Sequence, residues 1–268
     1  MSILENDFGY LNNFYDVREE EARLASRHGR VEFLTTMRYV EKYLTPGAKI
    51  IEIGAGTGRY SRALADKGYK IEAVEPVASH IETFRYLITH GQDINITQAN
   101  ALDLSMFADN SFDITLLLGP LYHLFTDENK RTAISEALRV TKPEGVVFAA
   151  YCQSDASIAN SGFLRRRFDI KEHIKRGLID PVTFAASSCP EEVFEIVRKE
   201  DIDRVMTPFA VEPLHYVGTD MFTLWISDAF EEMDDETYSI YLQYHFSICE
   251  RSDLVGASHH SLDVFRKM

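Results

Sequence analysis

The chain has 268 residues and a mass of 30.6 kDa, with 45% hydrophobic and 26% charged residues, the composition of an ordinary folded protein. Its 42 acidic residues outnumber 28 lysines and arginines, for a net charge of −14, so the surface repels phosphate backbones and disfavours nucleic acid as a partner. Three scattered cysteines without a CxxC pair exclude a disulfide framework, and no stretch reaches the roughly 18–20 apolar residues of a membrane span. With no basic-then-apolar start to read as a signal peptide, the expected location is cytoplasmic, away from any membrane.

In chain order, Glu19 to Leu44 reads as a helix, with Val31, Leu34, Met37, Val40 and Leu44 in three-to-four spacing, and Pro46-Gly47 stops it. Lys49 to Ile53 is a buried strand running into glycines, and Arg59 to Lys67 a helix closed by Gly68. Lys70 to Glu75 is a strand, Ala78 to His90 a helix, Asn95 to Ala99 a short strand and Phe112 to Leu118 a strong one. Asp127 to Val140 is helical, Lys142-Pro143-Glu144-Gly145 turns, and Val146 to Tyr151 is another strand. Strands alternating with helices imply βαβ units and a parallel sheet. Beyond Cys152 the rhythm changes. Residues 153–190 lack strand periodicity, Pro190 to Glu200 reads as a helix, Phe209 to Tyr216 as a strand, Asp220 to Glu250 as one long helix and Leu262 to Arg266 as a last strand. The expectation is one domain over 1–268. Its core is about 30–152 plus 190–268, with cap elements at about 1–29 and 153–190.

The most informative stretch is Glu52-Ile53-Gly54-Ala55-Gly56-Thr57-Gly58-Arg59, between a strand and a helix. Glycines there let the backbone turn and let a ligand approach the main chain and the helix N-terminus. Glu75, about twenty residues on, ends the second strand, where a carboxylate can accept both hydroxyls of a ribose. The spacing is GxGxG rather than the dinucleotide GxGxxG, and no Walker lysine follows. An acidic residue two before the first glycine suits an ammonium-bearing ligand better than a pyrophosphate.

Taken with Asp109-Asn110-Ser111-Phe112-Asp113 and the run Glu136 to Gly145, this pattern resembles the class I S-adenosylmethionine-dependent methyltransferases over roughly residues 30–152. The fold it implies is α/β, Rossmann-like and doubly wound: a mostly parallel seven-stranded sheet with an antiparallel last strand, here with a helical cap. The cofactor it implies is S-adenosylmethionine. Glu52 and the backbone of Gly54, Ala55 and Gly56 would hold its methionine part, and Glu75 the ribose, with Pro76 and Val77 beside the adenine. Where the family has a GDA-like segment this chain has Ala99-Asn100-Ala101, so Asn100 and Ala101 take the adenine position and Asp103 competes for it. The usual KPGG turn is KPEG here. The resemblance also brings Tyr15 over the cofactor as a cover; packing of Tyr15 on a helix is the alternative. Arg23 and Arg30 are weaker candidates for the cofactor carboxylate.

Leu118-Gly119-Pro120-Leu121-Tyr122-His123 follows the fourth strand at the carboxyl edge, where open α/β sheets bind ligands, and in the family this segment, Leu118 included, faces the cofactor. Gly119 offers no side-chain acceptor for a substrate amine, which argues against the nucleobase-amine subclass. His123 is the candidate general base, since imidazole titrates near neutral pH; simple packing beside the cofactor is the other reading. Phe163, Phe168, Phe184 and Trp225 are candidate apolar walls of an acceptor site. Strand alternation would send His259 and His260 to opposite faces, so no metal site is expected. The expected activity is methyl transfer to a small-molecule substrate. The alternatives are an RNA methyltransferase, supported only by Arg165-Arg166-Arg167, and a non-catalytic cofactor-binding regulator of the same fold.

Overall fold

A computed structural model describes residues 26–268. Helix α1 (Arg27–Glu41) is capped by Ser26, whose hydroxyl accepts from the Gly29 N–H. Then follow β1 (Lys49–Ile53), α2 (Arg59–Ala65), β2 (Lys70–Glu75), α3 (Ala78–Leu87), β3 (Ile94–Gln98), β4 (Phe112–Leu117), α4 (Asp127–Val140) and β5 (Thr141–Gln153). The alternation expected from the sequence is present, and β1, β2 and α4 have the expected limits. After β5 come α5 (Ser154–Ser157), a π-helical stretch at Ile158–Leu164, α6 (Ile170–Lys175), β6 (Ile196–Val197), α7 (Lys199–Met206), β7 (Val211–Gly218), α8 (Ser227–Glu232), α9 (Asp235–Ile248) and β8 (His260–Lys267).

The sheet runs β3-β2-β1-β4-β5-β8-β7, with the two-residue β6 on β5 as an eighth strand. All pairings through β5 are parallel, and β8 lies antiparallel between β5 and β7. Side chains of a strand alternate between faces, so β1 feeds two cores. Ile51 and Ile53 pack with Ala133, Ile134 and Ala137 of α4 and Ile202 of α7. Ile50 packs on the other side with Met37 and Val40 of α1, Leu64 of α2 and Ile248 of α9. Several family-motif residues brace this frame. Arg139 bonds Glu136 and Asp109 at 2.7 Å each, and Asp113 receives Lys142 Nζ at 2.7 Å.

Two expected helices are redrawn. Pro190 to Glu200 is not one helix: a short 3₁₀ turn ends at Val193 in the left-handed region, and Glu195 donates its N–H to the Tyr122 carbonyl, which pulls the chain toward β6. The helix begins only at Lys199. The single helix from Asp220 to Glu250 is two, α8 and α9, because Asp234 turns its carboxylate onto the Thr237 N–H and starts a new N-terminus. Glu144, at the non-glycine position of KPEG, sits at φ +64.

Candidate functional site

The loop from β1 to α2 is built on tight packing. Gly54 (φ +74) passes under Pro120, whose Cδ lies 2.7 Å from where a Cβ would stand. Gly58 (φ +78) lies against the Phe84 ring of α3, which a Cβ would meet at 2.0 Å. The third glycine of the pattern thus seats α3 beside the start of α2, a packing role rather than a ligand contact.

Glu75, 4% exposed at the end of β2, turns back onto this loop. Its Oε2 accepts from the Gly56 N–H at 2.7 Å and its Oε1 from the Val77 N–H at 2.9 Å. A carboxylate has about four lone-pair sites, so both oxygens keep capacity for two hydroxyls. His80, in the first turn of α3, brings Nδ1 to 3.4 Å from Oε1. Glu52, 2% exposed, accepts from the Ser61 N–H at 2.9 Å and from the Ser61 hydroxyl. Burial pushes its pKa up to about 7 against the opposing pull of Ser61.

One pocket gathers these groups. Glu52, Gly54, Ala55, Gly56, Glu75, Pro76, Asn100, Ala101, Leu118 and His123 all line it. Asn100 bends its Oδ1 onto the Leu102 N–H at 2.8 Å, which presents Asn100 and Ala101 to the pocket. Asp103, the competing carboxylate, is exposed, caps Ser105 and belongs to a groove elsewhere. Tyr15 and Arg23 lie outside the described residues. Arg30 is exposed and does not reach the pocket lining, whereas Arg59 and Tyr60 do.

His123 is 9% exposed and closes the 3₁₀ turn Pro120–His123, beside Tyr122, whose hydroxyl donates to the Leu118 carbonyl at 2.9 Å. His123 Nδ1 lies 2.9 Å from the Val193 carbonyl. A carbonyl only accepts, so Nδ1 holds the proton and Nε2 is left as the basic nitrogen of the neutral ring. Its ring centroid is 5.3 Å from that of Phe194.

Three readings of the sequence need correction. None of Phe163, Phe168, Phe184 and Trp225 lines the pocket: Phe163 is 57% exposed, Phe168 lies against His173, and Trp225 Nε1 donates to the Ala257 carbonyl. The basic triplet is not a continuous patch, since Arg165 turns inward to the Leu224 carbonyl and Ser227 while Arg166 and Arg167 are exposed. Finally, His259 and His260 do not diverge. His259 precedes β8, outside the strand's alternation, and the two rings stand 4.8 Å apart beside Asp220. Glu32 of α1, Thr219 and His260 extend the pocket on that side. They have no local motif. Glu32 and His260 are 228 positions apart in the chain, and only the closed sheet brings them together.

A glycine-rich turn after β1, an acidic residue closing β2 and a pocket along the carboxyl edge of this sheet order are the arrangement of a Rossmann-like methyltransferase fold. Comparison with known proteins agrees: residues 51–149 match a family described as a methyltransferase domain. YqeM of Bacillus subtilis (strain 168), a methyltransferase by name, is 23% identical over 74% of this chain and 69% of its own length. Demethylmenaquinone methyltransferase of Renibacterium salmoninarum is 33% identical over 39% of this chain; the match spans 41% of that enzyme. An S-adenosylmethionine-dependent methyltransferase of Methanosarcina mazei superimposes with a TM-score of 0.57 at 17% identity, covering 86% of this chain and 97% of that one. Residues 51–149 thus match a methyltransferase domain, and the fold is shared with solved S-adenosylmethionine-dependent methyltransferases. Among the described residues no helix is long and apolar enough to cross a membrane.

Proposed function

We propose that this protein transfers a methyl group from S-adenosylmethionine to a small-molecule acceptor in the cytoplasm. The observation that carries this reading is the single pocket that runs from Glu75 and Asn100, past the glycine loop and His123, to Thr219 and His260. Its donor set fits the cofactor. Glu75 offers two carboxylate oxygens for a ribose diol, Glu52 offers a carboxylate poised near pH 7 for the ammonium, and Ala101 and Val77 offer apolar walls for the adenine. Among the described residues Gly56 has no atom within 4 Å of a Cβ position, so these leave its main chain open to a ligand. When bound, S-adenosylmethionine would supply an electrophilic methyl on its sulfonium, with S-adenosylhomocysteine as the leaving group once the S–CH3 bond breaks. The chain's part is to orient both reactants and exclude water. His123, protonated at Nδ1, offers Nε2 for a proton the acceptor must lose.

A small acceptor is supported by the −14 charge, by the inward turn of Arg165 and by the relative named for demethylmenaquinone. A reducing compartment is supported by three free cysteines, Cys152, Cys189 and Cys249. The test is a thermal-shift titration with S-adenosylhomocysteine against NAD. A ligand at a hundred times its Kd stabilises by about 2.7 kcal/mol, so the former should raise Tm and NAD should not. A shift with NAD alone overturns the reading. His123→Ala should keep S-adenosylhomocysteine binding and slow transfer at least tenfold on an identified acceptor; unchanged transfer removes the base role.

A further inference from the structure

The carboxyl edge of the sheet carries a second group of polar side chains that the cofactor reading leaves unused. β7 ends there at Gly218, and the antiparallel β8 begins there at His260, with Gly218 paired to Ser261. The strand order puts this corner across β1, β4 and β5 from Glu75, at the other side of the same pocket. Asp220 is fixed in it. Its Oδ1 accepts from the Ser258 hydroxyl at 2.6 Å and from the N–H groups of His259 and His260 at 2.8 and 3.1 Å. Its Oδ2 lies 2.7 Å from His260 Nδ1. A carboxylate only accepts, so Nδ1 carries a proton, the ring is locked, and Nε2 stays unbonded among the described residues of a pocket-lining side chain.

We infer that His260 Nε2 holds an oxygen of the methyl acceptor, that Asp220 positions the ring for it, and that the acceptor is a hydroxylated molecule presenting a phenol or enol. This rests on the small-molecule methyltransferase reading and narrows its substrate class. Among the described residues the groups facing His260 are Glu32 of α1, with Oε2 at 3.7 Å from Nδ1, Asp220 after β7, the adjacent His259, and Cys152 of β5. Burial would lower the His260 pKa, but Glu32 and Asp220 outweigh it and favour the charged ring. A charged ring donates from Nε2 to a phenolate, and a neutral one accepts at Nε2 from a phenol. The same hydrogen bond survives both placements of the proton. An ammonium has donors only and meets only the neutral ring, the form that the two carboxylates disfavour.

Asp220, His259 and His260 also group as metal ligands would, with one donor atom each inside 4.8 Å. However, 2.7 Å between Nδ1 and Oδ2 is a hydrogen-bond separation. Two ligands of one tetrahedral zinc, with bonds of about 2.1 Å, would stand roughly 3.4 Å apart.

The experiment titrates 4-nitrophenol into the full chain saturated with S-adenosylhomocysteine, with and without EDTA, at a pH where the free phenol is mostly neutral. The expected result is binding with growth of the phenolate absorbance, unaffected by EDTA. His260→Gln should weaken it at least tenfold and leave the S-adenosylhomocysteine Kd within twofold. Asp220→Asn, whose amide can meet Nδ1 as a donor, should move the His260 proton from Nδ1 to Nε2 in nitrogen-15 spectra and raise the pH midpoint of bound-probe ionisation. A purely structural role would move neither. In the unaltered protein the His260 nitrogen signals must shift when the probe binds, an arm that needs no variant. Four outcomes each overturn the inference: tighter binding of benzylamine than of 4-nitrophenol, indifference of the probe to His260→Gln, a static His260 signal, or binding lost to EDTA. S-adenosylhomocysteine is first titrated alone; failure there overturns the cofactor reading itself, and this inference falls with it.

Discussion

Gly56 donates its backbone N–H to Glu75 Oε2 at 2.7 Å, tying the middle of the glycine loop to the end of β2 across 19 positions of sequence. The same carboxylate holds the Val77 N–H at the entry to α3. Two loops at this end of the pocket therefore take their shape from one side chain.

Glu75→Ala should weaken S-adenosylhomocysteine binding by about 10- to 100-fold, since hydrogen bonds to a charged group are worth about 1.5–3 kcal/mol. Calorimetric titration measures it. A Kd within twofold of the unaltered protein would show that Glu75 only shapes the loops.

Glu52 leads to a proton count. With its pKa pushed up to about 7 by burial, the free protein holds about half a proton there at pH 7. An ammonium placed beside it favours the carboxylate, so S-adenosylhomocysteine binding should release up to that half proton, and affinity should rise as pH increases through 7. Titration calorimetry in buffers of different ionisation enthalpy measures the release. Glu52→Gln should abolish it, and an enthalpy independent of buffer in the unaltered protein would separate Glu52 from the ammonium.

Gly58→Ala combines two costs. The left-handed backbone at φ +78 penalises a side chain by roughly 1–2 kcal/mol, and the new Cβ would overlap the fully buried Phe84 ring, adding about 1–3 kcal/mol of overpacking. Urea unfolding should show a loss of about 2–5 kcal/mol. The same change in a Phe84→Leu background should cost less, and equal costs in both would place the strain elsewhere.

His245 of α9 sets an acid limit. Thr35 Oγ1 donates to the Val31 carbonyl, so the 2.8 Å contact with His245 Nε2 has the imidazole as donor, and among the described residues Nδ1 meets no partner. Burial lowers the His245 pKa to about 4, although Asp220 pulls the other way. Between about pH 6.5 and 4 the unfolded chain binds a proton that the folded one refuses, so stability falls as pH falls through that window. The full effect is about 3 kcal/mol. Urea unfolding from pH 7 to 4.5 should be steeper for the unaltered protein than for His245→Gln. Parallel curves would mean that His245 titrates normally in the fold.

The half of the chain from β1 to β5 was legible because its signals are local. Apolar runs such as Lys49 to Ile53, glycines at the turn and Glu75 at a fixed distance lie within a few dozen residues, and parallel strands buried on both faces leave one register that hides Ile50 and Ile51 together. The C-terminal half was less legible because its breaks depend on partners. Val193 takes a left-handed backbone as its carbonyl meets His123, and Asp234 splits a helix that Glu231 to Glu236 could have continued.

The order of elements from β1 to β5, the acidic composition and the Glu52-to-Ala101 half of the pocket, proposed above for the cofactor, were determined by the sequence itself, since spacing along one βαβ unit sets which residues reach its carboxyl edge. The opposite half was decided only by tertiary structure. Glu32, Asp220 and His260 have no common motif, and strand alternation alone separates His259 from its neighbour. They meet because β8 inserts antiparallel between β5 and β7, which delivers the start of one strand, the end of another and the face of α1 to a single corner. A contact made by sheet closure has no period in the sequence, so it becomes visible only when the sheet is complete.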